Sequence, residues 1–268
     1  MVRLTREVRL TISPLGDSLK GRVANSWGGW PVSERLLPSM RVLVTLEGHI
    51  DAENGYLCDI RAIDIAVREC LGNALEADTT SLVKATDWLD FFWKGLAGRF
   101  PAGVRMVELE LCPSPWQSWK TSIGEYPMIV LTRQYEFSAA HRLHNPQLSD
   151  AENRELFGKC NNPLGPGHNY VVEISILTGR DQPPQSGGNS VTGALDEHVR
   201  LHVIDRLDHK NLNEEIGEFR KLNPTVENIA LVIWNWLREL PLPGKLKNVR
   251  VYETPKTWAD HFEDASFG

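Results

Sequence analysis

Histidine is nearly missing from the first half of this 268-residue chain: of its eight histidines only His49 precedes residue 130. Imidazole chemistry therefore belongs to the second half. Cysteine is sparse as well. Cys58, Cys70, Cys112 and Cys160 lie far apart with no Cys-x-x-Cys spacing, which excludes a cysteine-rich zinc site and a disulfide framework. Three of them read as small buried hydrophobes, and Cys160 is set apart by its position in a Gly/Pro-rich loop. No apolar run nears the ~20 residues that span a bilayer. The opening Met1-Val2-Arg3-Leu4-Thr5-Arg6-Glu7 lacks the apolar stretch of a signal peptide, so no membrane partner and a cytoplasmic location are expected. A basic excess is also lacking: the net charge is -6 and no basic stripe is visible, which argues against a nucleic-acid partner. What is there, 41% hydrophobic and 24% charged residues, is the composition of a soluble globular protein of one large or two average domains.

The chain reads as one architecture written twice, with the copies meeting near Ser122-Ile123-Gly124-Glu125-Tyr126-Pro127. Leu4-Thr5-Arg6 precedes an alternating segment ending Ile12-Ser13-Pro14, and Leu131-Thr132-Arg133 precedes one ending Ala139-Ala140-His141, so that Pro14 stands in register with His141. Each copy then has a second strand (Met40 to Leu46; Asn169 to Leu177) and a helix (Asp59 to Cys70; Leu195 to Leu207, with Leu195, Val199, Val203 and Leu207 as a buried stripe). A second helix follows in both. The earlier starts near Thr80 and buries Leu82, Leu89, Phe92 and Trp93. The later is capped from Asn223-Pro224-Thr225, with proline in the first turn, and buries Ile229, Val232, Ile233, Trp236, Leu237 and Leu240. Short closing strands, Val107 to Leu111 and Val249 to Glu253, complete an α+β pattern of antiparallel sheets with two helices on one face.

Period two places Tyr135, Phe137, Ala139 and His141 on one face of a strand, and His168, Tyr170, Val172, Ile174 and Ile176 on one face of another. If the two strands pair, both imidazoles enter one pocket, as zinc ligands do. Cys160 follows Lys159, a cation that is expected to lower the thiol pKa. Asp208 precedes His209, and such a carboxylate can hold an imidazole tautomer for proton transfer. His198 and His202, four apart on a helix, are read as facing solvent. Glu253 alternates onto the face of Val249 and Val251, and a carboxylate among apolar neighbours calls for a paired donor. The first copy has Leu111 at that position.

These residues carry a resemblance. Phe137-Ser138-Ala139-Ala140-His141-Arg142-Leu143-His144, Leu156-Phe157-Gly158-Lys159-Cys160-Asn161-Asn162-Pro163, Gly167-His168-Asn169-Tyr170, Leu207-Asp208-His209-Lys210-Asn211-Leu212, Thr225-Val226-Glu227-Asn228 and Val251-Tyr252-Glu253-Thr254 resemble, in order, the motifs of the 6-pyruvoyltetrahydropterin synthase family. The resemblance covers about half the chain. It implies the tunnelling fold (T-fold), in which subunit sheets join into a β-barrel homo-oligomer with sites between subunits. It further implies a lyase that eliminates triphosphate from 7,8-dihydroneopterin triphosphate, as in tetrahydrobiopterin biosynthesis, with Zn2+ as metal. His141 and His168 match zinc ligands, Cys160 the catalytic base, and Asp208 with His209 its proton-relay partner. Glu253 matches the carboxylate that grips the pterin, with Thr225 and Glu227 near the ring. Residues 125–268 are thus expected to form the catalytic domain and residues 1–124 a degenerate repeat, in which Ser26-Trp27-Gly28-Gly29-Trp30 replaces the histidine loop.

One departure stands out. The family's His-Gly-His is here Pro166-Gly167-His168, so the third zinc ligand is absent and His144 is the nearest substitute. Two alternatives follow: a 6-carboxytetrahydropterin synthase of the deazaguanine (queuosine) pathway, against which the distance from Cys160 to Pro166 speaks, and a non-catalytic pterin-binding scaffold.

Overall fold

Alternating apolar and polar residues draw much of the chain into strands. A computed structural model describes residues 1–12, 36, 38–76, 84–179 and 190–263, and the chain divides into two compact units, Met1–Leu131 and Thr132–Gly268. In the first unit β1 (Val2–Thr11) and β2 (Ser39–Gly48) are followed by helices α1 (Ile60–Glu76) and α2 (Ala85–Leu96), then β3 (Arg105–Ser114) and β4 (Gln117–Ser122). The four strands are antiparallel neighbours in that order. Val8, Leu10, Val42, Val44, Leu46 and Leu109 are fully buried, as a sheet with one covered face requires. Ile63, Val67 and Leu71 of α1 and Leu89, Phe92 and Leu96 of α2, at helical spacing, supply the cover. Trp93, expected in this core, is only half buried and stacks on Tyr126 with ring centroids 5.3 Å apart. Leu82, Pro14 and the Ser26 to Trp30 segment lie outside the described residues.

β5 (Ile129–Ala140) begins three residues before the division and continues into the second unit, which then runs α3 (Asp150–Phe157), β6 (Gly167–Thr178), α4 (Val191–Val199), α5 (Asp205–Leu207), β7 (Lys210–Asn211), α6 (Leu212–Glu215), α7 (Val226–Arg238), β8 (Lys245–Thr254) and β9 (Thr257–Phe262). Its strands neighbour one another in the order β5-β6-β8-β9, with β6, β8 and β9 antiparallel. The sheet is not wholly antiparallel as expected, because β7 makes a two-residue parallel pair with the end of β5. Tyr170, Val172, Ile174 and Ile176 are fully buried along β6, and Phe137 stacks on Tyr170 at 5.0 Å. The period-two reading of both strands therefore holds.

Helices in this unit depart from the expected pattern in instructive places. Leu195, Val199, Val203 and Leu207 are all fully buried, yet the run changes from α to π over Arg200–Ile204 between α4 and α5. His198 and His202 are only partly exposed to solvent, and their rings stack with centroids 6.1 Å apart. In α7 the cap is Thr225, whose hydroxyl accepts the Asn228 N–H at 3.3 Å. Pro224 thus precedes the cap rather than filling the first turn. Ile229, Val232, Ile233 and Leu237 are buried as expected, but the buried tryptophan is Trp234. Trp236 is half buried and donates its indole N–H to Glu218 Oε1 at 2.6 Å, beneath the Arg206 guanidinium. No helix among the described residues is long and apolar enough to cross a membrane.

Candidate active site

Three strand ends of the second unit meet at one place. His141 directly follows β5, His168 is the second residue of β6, and Glu253 lies one residue past the β6–β8 pair Val171–Tyr252. The fourth contributor, Cys160, sits in the 3-10 turn Gly158–Asn161. One ligating atom from each of His141, Cys160, His168 and Glu253 lies within 4.8 Å of every other. The His141 and His168 rings stand edge to face with centroids 4.9 Å apart, and Tyr170 borders both at 6.2 and 5.7 Å.

The protonation pattern makes this group electron-rich. His141 Nδ1 lies 2.7 Å from the Pro224 carbonyl oxygen. A carbonyl can only accept, so Nδ1 carries the proton and Nε2 presents a lone pair. Among the described residues that Nε2 is buried without a hydrogen-bond partner, as is His168 Nε2. Glu253 Oε1 stands 3.4 Å from the first and 3.7 Å from the second. Both distances are too long for a hydrogen bond to a carboxylate, and for His141 no proton points that way. Burial also pushes the His141 imidazole below its usual pKa, the Pro224 carbonyl opposing, which favours the neutral ring. Leaving a buried polar nitrogen unpaired costs about 1–3 kcal/mol, so two such atoms facing a carboxylate and a thiol call for an electropositive occupant. Two imidazoles with carboxylate and thiol oxygen and sulfur donors suit a divalent metal such as zinc.

The loop that carries Cys160 is fixed by backbone bonds. His141 N–H donates to the Pro166 carbonyl at 3.0 Å and Leu143 N–H to the Cys160 carbonyl at 2.8 Å. Pro166 therefore supports the histidine through its backbone although its side chain has no donor atom. Gly165 adopts φ +67°, and a Cβ there would lie 2.7 Å from the His141 carbonyl oxygen. Gly165→Ala is expected to destabilise the protein by at least ~1 kcal/mol from the left-handed backbone alone. The clash should also displace His141 and cut metal uptake, which thermal melts with and without added zinc will read.

Several expected site residues stand elsewhere. His144 is not a substitute ligand: its Nδ1 faces Asn161 Nδ2 at 3.2 Å and Arg142 Nη2 at 3.3 Å, and it is not in the ligating group. Lys159 is exposed and does not lower the Cys160 thiol; burial pushes that thiol up, and Glu253 adds to the rise. Asp208 Oδ2 lies 2.8 Å from His209 Nδ1, and its Oδ1 accepts the Ser138 N–H at 2.8 Å. The Ser138 N–H, followed by His209, holds this carboxyl below its usual range. His209 has φ +56°, and its side chain is 82% exposed, directed to solvent rather than into the four-residue group. Thr225 spends its hydroxyl on the α7 cap beside Pro224, and Glu227 is exposed in the first turn of that helix.

Sequence reasoning left out other contributors. Asn213 clamps Arg142 by accepting its N–H at 2.7 Å and donating to its carbonyl at 2.9 Å, and Asn161 donates to the Leu143 carbonyl at 2.7 Å. Tyr170 was placed on the strand but given no role. Its buried hydroxyl has no hydrogen-bond partner among the described residues, and burial raises its pKa.

Known proteins share this half of the chain. The model of the family described as 6-pyruvoyl tetrahydropterin synthase matches residues 130–264. The 6-pyruvoyl tetrahydrobiopterin synthase of Drosophila melanogaster is 45% identical over 135 residues, 50% of this chain and 79% of that protein. The Homo sapiens protein of the same name is 41% identical over 124 residues, 46% of this chain and 84% of its own length. A solved structure of Caenorhabditis elegans 6-pyruvoyl tetrahydropterin synthase is 37% identical, covering 52% of this chain and 97% of that one with a TM-score of 0.46. A family match over half the chain, on the segment that holds His141, Cys160, His168 and Glu253, places the chain in the 6-pyruvoyl tetrahydropterin synthase family.

Proposed function

We propose that the chain is a lyase of the 6-pyruvoyltetrahydropterin synthase type, acting on 7,8-dihydroneopterin triphosphate with elimination of triphosphate. The observation that carries this reading is the convergence of two imidazole nitrogens, a thiol and a carboxylate within 4.8 Å at the end of one sheet. His141 and His168 would hold zinc, which when bound supplies Lewis acidity toward the substrate's side-chain oxygens. Glu253 accepts from the amino-pyrimidine edge of the pterin and fixes its orientation, with Thr225 and Glu227 beside the ring. Cys160 removes a carbon-bound proton of the side chain while the carbon–oxygen bond to triphosphate breaks, and Asp208 with His209 relays that proton. The remaining change is an internal redox rearrangement of the side chain, which needs no external oxidant.

Residues 125–268 are the catalytic domain in this reading, and residues 1–124 a degenerate tunnelling-fold repeat without catalytic residues. Matching side-chain pairs support the repeat. Thr5 and Thr45 share a hydroxyl hydrogen bond at 2.9 Å, as Thr132 and Ser175 do at 2.8 Å. Arg6 grips Asp64 through Nε and Nη2, both at 2.8 Å, as Arg133 grips Asp196 at 2.9 and 2.8 Å. Leu111, 2% exposed, stands where the second half has Glu253. A homo-oligomeric barrel with sites between subunits gives the exposed Asp208–His209 pair a partner on another copy of the chain.

Incubation of the purified protein with 7,8-dihydroneopterin triphosphate tests the reading. Inorganic triphosphate and 6-pyruvoyltetrahydropterin are expected. Acetaldehyde with a carboxypterin would overturn the product assignment, and no turnover with zinc supplied would overturn the enzyme.

A further inference from the structure

The chain lacks one metal ligand at Pro166, and the geometry points to a replacement: we infer that the Cys160 thiolate completes the metal-binding set with His141 Nε2 and His168 Nε2 when no substrate is bound. The inference rests on the metal site proposed above and deepens it.

Placement is the first argument. The missing imidazole would have come from the loop between α3 and β6, and Cys160 sits on that same loop. Both residues are tied to the end of β5, Pro166 through its carbonyl to His141 N–H at 3.0 Å and Cys160 through its carbonyl to Leu143 N–H at 2.8 Å. The loop therefore brings a donor atom to the same strand end from a different position. Occupancy is the second. The Cys160 sulfur lies within 4.8 Å of ligating atoms on both histidines and on Glu253. Both histidine Nε2 atoms are buried without hydrogen-bond partners among the described residues.

The competing donors are weaker candidates for the third place. His144 Nδ1 faces Asn161 and Arg142. Glu253 belongs to the same group, and zinc accepts two-histidine, one-carboxylate sets as well, but Glu253 lies on β8 and not on the loop from which the missing ligand would have come, as Cys160 does. Three protein donors also leave one position open for substrate, whereas four would close the site. On this account Cys160 has two successive partners, the metal in the free protein and the substrate after binding.

Cobalt reads the assignment directly, because a thiolate ligand gives Co2+ a near-ultraviolet charge-transfer band that nitrogen and oxygen ligands do not. The full chain, stripped with chelator and titrated with Co2+, should develop this band and saturate at one ion per chain. Cys160→Ser should lose the band and bind Co2+ more than ~10-fold more weakly, the least expected when loss of even an outer-shell partner costs 10- to 100-fold. Cys160→His should bind Co2+ without the band, which guards against misfolding of the serine variant. Cys58, Cys70 and Cys112 remain in both variants and control for other thiols. Co2+ bound without the band, a band that survives in Cys160→Ser, or no Co2+ binding by the unaltered chain would each overturn the inference. Turnover is scored separately. Product without the band leaves the lyase reading standing and removes the thiolate ligand; the band without product does the reverse.

Discussion

Glu253→Gln should lower kcat/KM for 7,8-dihydroneopterin triphosphate by roughly 30- to 4000-fold, because unpairing a charged recognition contact costs about 2–5 kcal/mol and each 1.4 kcal/mol is tenfold. The change is nearly isosteric, and the carboxylate is the group it removes. Glu253 Oε1 stands 3.4 Å from an imidazole nitrogen whose lone pair faces it, so the free protein gains little from the negative charge there. Its side chain is 20% exposed, which places it at the wall of the group rather than in solvent. Melting temperature should therefore change little while catalysis collapses. Metal content measured on the same sample separates recognition from ligation: full zinc occupancy with lost turnover identifies Glu253 as the pterin anchor, and a value of kcat/KM within about threefold of the unaltered chain would remove it from the mechanism.

Strand faces were readable because the signal is local and repeats every second residue. Phe137, Ala139 and His141, then Tyr170, Val172, Ile174 and Ile176, lie buried as their alternation requires. Glu253 was legible for the same reason, as a carboxylate out of place among Val249 and Val251. What could not be read depends on groups without a sequence signature. The bond that fixes the His141 tautomer ends on the carbonyl of Pro224, and every residue has a carbonyl. Lys159 looked like a neighbour that would acidify Cys160, but adjacency in a 3-10 turn does not make adjacency in space: the lysine points outward and the thiol inward. His198 and His202 are half buried rather than wholly exposed, with their rings stacked on each other, a pairing that their spacing along the helix does not announce.

Pro166→His should raise zinc affinity by roughly 10- to 100-fold, the scale on which single partners tune metal sites. Residue 166 lies one position before β6 and two before His168, so if the strand's alternation is continued one residue back, its side chain falls on the face of His168 and Tyr170. The backbone is already in place. Gly165 turns the chain at φ +67°, and the carbonyl of residue 166, which a histidine keeps, receives the His141 N–H at 3.0 Å. The substitution thus adds an imidazole without removing a contact that holds the site. A third imidazole should also compete with Cys160, weakening the thiolate-to-cobalt band while total cobalt affinity rises. Competition titration against a chromophoric chelator measures the first effect and cobalt absorbance the second. An unchanged zinc affinity in a folded variant would mean that the side chain at 166 does not reach the group, and the departure at Pro166 would then have no bearing on the metal.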